Sequence, residues 1–116
     1  MTERKNGMIF VIGGAYQGKT EYVSAHFGEE YQVVNQYHQI IRNQLKQGQS
    51  PLKEAQKLLQ ERDRLVIISD EVGYGLVPVD AFEREYRELC GRVSCYLAGE
   101  AEQVIRVVCG VGTRIK

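Results

Sequence analysis

The chain has 116 residues, of which 43% are hydrophobic and 26% charged, and these values are ordinary for a globular protein of about one domain. Lys and Arg number 15, as do Asp and Glu, so the net charge of zero excludes an overall field that would favour nucleic acid or an anionic membrane. No apolar run approaches the length of a membrane span and the start does not read as a signal peptide, so we expect a cytoplasmic protein.

The first strand and the loop that follows it carry the clearest motif. The apolar run at residues 8–12 predicts a buried strand of a parallel sheet. Residues 13–20 then have the order Gly, four residues, Gly-Lys-Thr, which is typical of a phosphate-binding loop. We predict that this loop binds a nucleotide through Gly13, Gly14, Ala15, Tyr16, Gln17, Gly18, Lys19 and Thr20.

Each residue type in this loop has a chemical reason. The glycines let backbone N–H groups turn inward and form a concave anion nest, and the positive end of the following helix adds to the attraction. Lys19 would place its ammonium on the β- and γ-phosphates, and the hydroxyl of Thr20 would ligate Mg²⁺. The alternative interpretation is a glycine-rich turn with no ligand.

Strands and helices alternate after the loop. A helix with Val23 and Phe27 on its inner face leads to a strand at residues 31–35. The remaining predicted elements are a helix at residues 37–45, a helix capped by Ser50, a strand at residues 65–69, a helix opened by an Asp80–Glu83 capping box and a strand at residues 104–108. This alternation predicts a three-layer α/β sandwich with a mainly parallel sheet, P-loop NTPase-like, with residues 1–116 as a single P-loop nucleotide-binding domain.

Ligands of such folds bind at the carboxyl ends of the strands, which gathers the phosphate loop, residues 35–38 and residues 70–75 at one edge. Asp70 ends an apolar strand, as does the Mg²⁺-holding acid of P-loop NTPases, so we predict Thr20 and Asp70 as metal ligands. Glu71 would polarise a water or an attacking hydroxyl. The alternative is that Asp70 merely forms a turn at the end of the strand.

The string Asp-Glu-Val-Gly-Tyr-Gly-Leu-Val-Pro at residues 70–78 is the most specific feature. Together with residues 82–87, Gly91-Arg92 and residues 110–116, it resembles the bifunctional adenosylcobinamide kinase / adenosylcobinamide-phosphate guanylyltransferase family. That family also has an N-terminal Gly-Gly-Ala-x-x-Gly-Lys-Ser/Thr loop. Its full-length members carry a long middle segment with a further acid-bearing strand where this chain has only residues 36–64, so the resemblance is to a shortened member.

The resemblance implies two steps of cobalamin biosynthesis. A kinase step moves the γ-phosphoryl group to the aminopropanol hydroxyl of adenosylcobinamide, and a second step transfers GMP through a guanylyl-histidine. By resemblance, Lys19 and Thr20 bind phosphate and Mg²⁺, and residues 73–78 form part of the active-site rim. The family's histidine lies on a helix after the second strand, which points to His38 as the nucleophile, with Arg42 offsetting charge. The alternative is a His38 that only packs.

The implied ligands are Mg²⁺ and GTP or ATP, with adenosylcobinamide or a related small molecule as acceptor. We expect a homo-oligomer, and no nucleic-acid partner and no membrane span. Two other functions stay open: another small P-loop kinase or NTPase, and a non-catalytic nucleotide-binding regulatory protein. Convergence of Lys19, Thr20 and Asp70 at one position would favour an enzyme over the regulatory protein.

Overall fold

The computed structural model describes residues 7–72 and 80–116. Within those ranges the chain forms five strands and four helices. The strands are β1 (Ile9–Gly13), β2 (Gln32–Val34), β3 (Leu65–Asp70), β4 (Gln103–Val108) and β5 (Val111–Arg114). The helices are α1 (Lys19–His26), α2 (Tyr37–Lys46), α3 (Pro51–Glu61) and α4 (Ala81–Glu100). The predicted α/β class is confirmed.

The sheet has the strand order β2-β3-β1-β4-β5, and its first four strands are parallel. From β1 the chain steps over β3 to reach β2, whereas its next two crossovers run in the opposite direction. Because parallel crossovers are right-handed, the first crossover and the later two lie on opposite faces. Helix α1 therefore covers one face, and α2, α3 and α4 cover the other, which gives the three predicted layers.

The core has two parts, one on each face of the sheet. The larger part packs Phe10, Leu65 and Ile67 against α2, α3 and α4. The smaller part packs the alternate strand residues, including Val11 and Ile68, against α1. Strands β1 and β3 are apolar along almost their whole length because both of their faces are covered.

Helix caps agree with the sequence at α3 and in part at α4. The Ser50 hydroxyl accepts the N–H of Lys53 at 3.4 Å, and Asp80 accepts the N–H groups of Phe82 and Glu83 at 2.7 and 3.3 Å. The prediction of a full capping box is wrong for Glu83. Its carboxylate accepts two hydrogen bonds from a guanidinium on α2 instead.

Strand β5 was not predicted, and it forms an antiparallel hairpin with β4. Val108 pairs with Val111 across a two-residue turn, in which Cys109 and Gly110 have φ of 51° and 79°. Two consecutive positive φ values define the type I′ turn that matches the twist of a hairpin. None of the helices in the two described ranges combines the length and apolar composition of a membrane-spanning segment.

Candidate active site

The phosphate loop and Asp70 meet at the point where the crossovers diverge. Gly13 at the end of β1 is in register with Asp70 at the end of the neighbouring β3. The chain leaves β1 toward one face of the sheet and β3 toward the other, so a crevice opens between them. Ligands of open α/β sheets bind in this position.

The loop has backbone geometry that requires glycine at two positions. A Cβ on Gly13 would lie 2.5 Å from the carbonyl oxygen of Val107, which is too close for any side chain. Gly18 has φ of +87°, in the left-handed region that favours glycine, and it precedes the first residue of α1. Lys19 folds back over the loop, and its Nζ donates to the carbonyl oxygen of Gly14 at 2.6 Å.

The β4–β5 turn supports the loop from outside. The N–H of Gly110 donates to the backbone carbonyl oxygen of Gln17 at 2.8 Å. The N–H of Cys109 donates to the side-chain Oε1 of Gln17 at 2.7 Å. Sequence reasoning missed this contact, and the only signal was the Cys-Gly pair of the turn. Tyr16 lies at the tip of the loop, fully exposed and with φ of 60°.

Lys19, His38 and Asp70 come together at the centre of the site. Lys19 Nζ lies 2.8 Å from Asp70 Oδ1, and His38 Nε2 lies 3.4 Å from Asp70 Oδ2. The N–H of Asp70 donates to His38 Nδ1 at 3.1 Å. Because Nδ1 accepts a hydrogen bond, the neutral ring carries its proton on Nε2, where it faces the carboxylate.

Burial lowers the pKa of His38 below its ordinary value. The Asp70 carboxylate acts in the opposite direction, while the cations of Lys19 and Arg42 lower the pKa further. The imidazole is therefore neutral at neutral pH, and a neutral ring is the form that can act as a nucleophile.

This pKa shift predicts a pH dependence of stability. The unfolded chain, with an ordinary imidazole pKa of 6.5, binds protons that the folded His38 resists. The free energy of unfolding should therefore fall as the pH drops through about 6.5 from above. Urea unfolding of the ligand-free protein at about pH 7.5 and about pH 5.5 measures this difference in the free energy of unfolding.

His38→Gln keeps an acceptor oxygen but does not titrate, so it should flatten the pH dependence. The chain has only two histidines, and the other, His26, is exposed at the end of α1, so His26→Gln is the matched control. In His26→Gln the free energy of unfolding should change with pH as much as it does in the wild-type protein. If the free energy of unfolding of His38→Gln still falls with pH as in the wild-type protein, the lowered pKa of folded His38 is contradicted.

Arg42 is directed toward α4. Its guanidinium makes two hydrogen bonds to Glu83, at 2.7 and 2.8 Å, and lies 4.2 Å from the centre of the Tyr86 ring. The bond to Glu83 raises the pKa of Arg42 and lowers that of Glu83. The Tyr86 hydroxyl donates to the carbonyl oxygen of His38 at 3.0 Å, so α4 anchors the first turn of α2, where His38 lies. These contacts were not predicted, because Glu83 and Tyr86 are more than forty residues from Arg42 and His38.

Glu71 is also paired. Its carboxylate accepts the Nε and Nη2 groups of Arg106 at 2.8 and 3.3 Å. Its backbone N–H donates to the carbonyl oxygen of Gly13 at 2.8 Å. Glu71 therefore reaches across the end of β1 to Arg106 on β4.

A pocket of about 400 Å³, which we call the phosphate pocket, opens over the loop. Its walls include Lys19, Thr20, His38 and Asp70. Among residues 7–72 and 80–116, no group of three or more His, Cys, Asp or Glu side chains is arranged to hold a metal ion. The hydroxyl and carboxylate oxygens of Thr20 and Asp70 nevertheless fit Mg²⁺ in a nucleotide site, where one or two protein oxygens act together with phosphates and water.

Comparison with known proteins identifies relatives of this chain. The family model described as cobinamide kinase / cobinamide phosphate guanyltransferase matches residues 32–115. A bifunctional adenosylcobalamin biosynthesis protein, CobU, from Salmonella typhimurium strain LT2 is 42% identical over 53 residues. The protein of the same name from Escherichia coli strain K12 shows the same identity over the same length. That alignment covers 46% of this chain but 29% of each relative, so the matched segment spans under a third of their length.

The family match extends from β2 to β5 and thus includes His38, Arg42, Asp70 and Glu71. The phosphate loop precedes the matched range. Residues 73–78, predicted to form part of the active-site rim, lie outside the residues that the structure describes. With a match over most of its length, the chain belongs to the cobinamide kinase / cobinamide phosphate guanyltransferase family.

Proposed function

We propose that this protein is a nucleotide-dependent transferase of adenosylcobalamin biosynthesis, which binds GTP or ATP with Mg²⁺ and acts on adenosylcobinamide or a related small acceptor. The family match and the two curated relatives support this role. The observation that carries the proposal is the convergence of Lys19, Thr20, His38 and Asp70 on the phosphate pocket. A non-catalytic nucleotide-binding protein does not require a histidine and a carboxylate beside the phosphates.

Lys19 is expected to exchange partners when a nucleotide binds. In the ligand-free chain its ammonium is paired with Asp70 and is only 8% exposed. The β- and γ-phosphates carry more charge than one carboxylate, so they would draw the ammonium away from Asp70. Mg²⁺, held by Thr20 and Asp70, would offset further charge on the phosphates when bound.

In the kinase step, the oxygen of the acceptor hydroxyl attacks the γ-phosphorus. The new O–P bond forms as the bond to the β–γ bridging oxygen breaks, and the nucleoside diphosphate leaves. The carboxylate of Asp70 accepts the hydroxyl proton, with Glu71 as the neighbouring alternative. Lys19 stabilises the charge that develops on the transferred group.

In the guanylyl step, His38 gives up the hydrogen bond from the Asp70 N–H, and the freed lone pair of Nδ1 attacks the α-phosphorus of GTP while the Nε2 proton stays on the ring, held by the Asp70 carboxylate. An N–P bond forms and pyrophosphate leaves, which yields a guanylyl-histidine. A phosphate oxygen of the phosphorylated acceptor then attacks the same phosphorus and releases His38. The Tyr86 hydroxyl holds the backbone carbonyl of His38, and the Asp70 carboxylate faces its Nε2. Arg42 must leave Glu83 to offset charge directly.

The test supplies adenosylcobinamide with GTP labelled at either the γ- or the α-phosphate. We expect γ-label on the acceptor, and α-label first on the protein and then on the phosphorylated acceptor. Transfer of the γ-label alone would mean a kinase without the guanylyl step. Absence of both labels from protein and acceptor, with GTP still bound, would overturn the proposed function in favour of a binding protein.

A further inference from the structure

A pocket of about 330 Å³ lies between α2, α3 and the end of β2, and we call it the edge pocket. Strand β2 is the first strand of the sheet, and among the residues that the structure describes no further strand lies beside it. The described linings of the edge pocket and the phosphate pocket have no residue in common. The edge pocket is therefore a separate cavity from the candidate active site.

The phenol of Tyr37 lines the edge pocket without a hydrogen-bond partner. Tyr37 is 2% exposed, and its hydroxyl makes no hydrogen bond within residues 7–72 or 80–116. Burial, together with the negative charge of Glu54, raises the pKa of Tyr37 to about 12, so the hydroxyl stays protonated and uncharged. Because a buried polar group without a hydrogen bond is costly, this hydroxyl favours a ligand that supplies one.

Gln44 lines the same pocket and contributes a second unpaired oxygen. Its Oε1 is the one side-chain N or O atom in the described part of the chain that is completely buried and has no hydrogen-bond partner. The Tyr37 hydroxyl, which also has no partner, is not buried as completely, so it keeps access to the pocket. A turn of the Gln44 amide toward the pocket would let Oε1 accept a hydrogen bond from a ligand.

The inner end of the edge pocket is rich in acceptors. Glu54 lines it and is the charged residue that acts on the Tyr37 hydroxyl, so the charge at this end is negative. A phenol oxygen, an amide oxygen and a carboxylate are thus available to one ligand group. An ammonium group has three N–H donors and no acceptor, which matches such a set. The apolar part of the lining consists of Val34, Ile40 and Leu58.

The other charged residues do not oppose a cation at the inner end. The edge pocket is lined by two acids and two cations, which are Glu54, Glu61, Lys57 and Arg62. Their charges cancel, so the positions of the charges decide which ligand fits. Arg62 precedes β3, whose first residue pairs with the first residue of β2, whereas Tyr37 follows the end of β2. Arg62 therefore lies toward the opposite end of the pocket from Tyr37.

We propose that the edge pocket binds a small primary alkylammonium ion, with its nitrogen among Tyr37, Gln44 and Glu54 and its aliphatic stem against the apolar wall. One ammonium group gives hydrogen bonds to both unpaired oxygens and offsets the charge of the carboxylate. This proposal is independent of the proposed function, because none of these residues lines the phosphate pocket.

The test titrates the ligand-free protein with butylamine at about pH 7.5, where an alkylamine is protonated. The backbone amide NMR signals of residues 34–44 should shift until binding is saturated, with a Kd on the order of 1 mM. Butanol and butyrate have the same chain length but carry a neutral and an anionic group. Both should bind at least about tenfold more weakly than butylamine.

Tyr37→Phe keeps the buried ring, and Glu54→Gln keeps the shape of the side chain but removes its charge. Each variant should raise the Kd for butylamine by about tenfold. Glu29→Gln is the matched control, because Glu29 is exposed and does not line the edge pocket, and it should keep the wild-type Kd. Thermal unfolding shows that the variants are folded.

Three results would overturn the proposal. The first is a wild-type protein that does not bind butylamine. The second is equal binding of butylamine and butanol, which would mean that the pocket selects the aliphatic stem and not the ammonium. The third is a wild-type Kd for butylamine in both folded Tyr37→Phe and folded Glu54→Gln.

Discussion

Lys19→Ala is expected to weaken GTP binding by about 100-fold, the loss typical of a charge-assisted contact to phosphate. Among the described residues that line the phosphate pocket, Lys19 is the only Lys or Arg. His38 also lines it but is neutral at neutral pH. Its ammonium is held 2.8 Å from Asp70 and 2.6 Å from Gly14, so it is already directed into the loop. Calorimetric titration of GTP with Mg²⁺ measures the change.

Lys53→Ala is the matched control for this prediction. Lys53 is exposed on α3, away from the phosphate pocket, and its loss should leave the Kd for GTP unchanged. Thermal unfolding of both variants shows whether they are folded. Equal affinities of folded Lys19→Ala and wild-type protein would mean that residues 13–20 do not bind the phosphates.

His38→Ala is expected to lower the formation of an acid-labile, base-stable adduct from α-labelled GTP by at least about a thousandfold, because no other group would replace the nucleophile. Two elements position His38. The N–H of Asp70 on β3 donates to its Nδ1 at 3.1 Å, and the hydroxyl of Tyr86 on α4 donates to its backbone carbonyl oxygen at 3.0 Å. Since burial lowers its pKa, the wild-type adduct should still form rapidly somewhat below pH 6.5.

His26→Ala provides the comparison for the adduct experiment. His26 stacks on Tyr22 at the exposed end of α1 and does not line the phosphate pocket, so this variant should be labelled as the wild-type protein is. Label that survives His38→Ala and disappears in His26→Ala would mean that His26, and not His38, is the nucleophile. Label that survives both would require a nucleophile other than histidine.

The sequence predicted the centre of the site because simple rules apply there. Apolar runs located β1 and β3, and the carboxyl ends of parallel strands share an edge, so Lys19 and Asp70 had to be near one another. The helix after β2 brought His38 to the same edge. These inferences need only the order of the elements.

The contacts that sequence reasoning missed depend on distant pairing. The four residues of β5 contain one large apolar side chain, and the strand forms because it pairs with β4 across a type I′ turn. Arg42 was expected to act with His38 on the same helix, but the structure pairs it with Glu83, which is 41 residues away. Its role in charge stabilisation stays a prediction.

The central claim is that the phosphate loop and His38 belong to one nucleotide site, and imidazole NMR tests it most directly. The chain has two histidines, so the spectrum should contain two sets of ring signals. Added GTP with Mg²⁺ should shift the His38 signals until binding is saturated and should leave the His26 signals in place. At the same GTP concentration the His38 signals of Lys19→Ala should shift far less. Binding of GTP that leaves the His38 signals unmoved would contradict the claim.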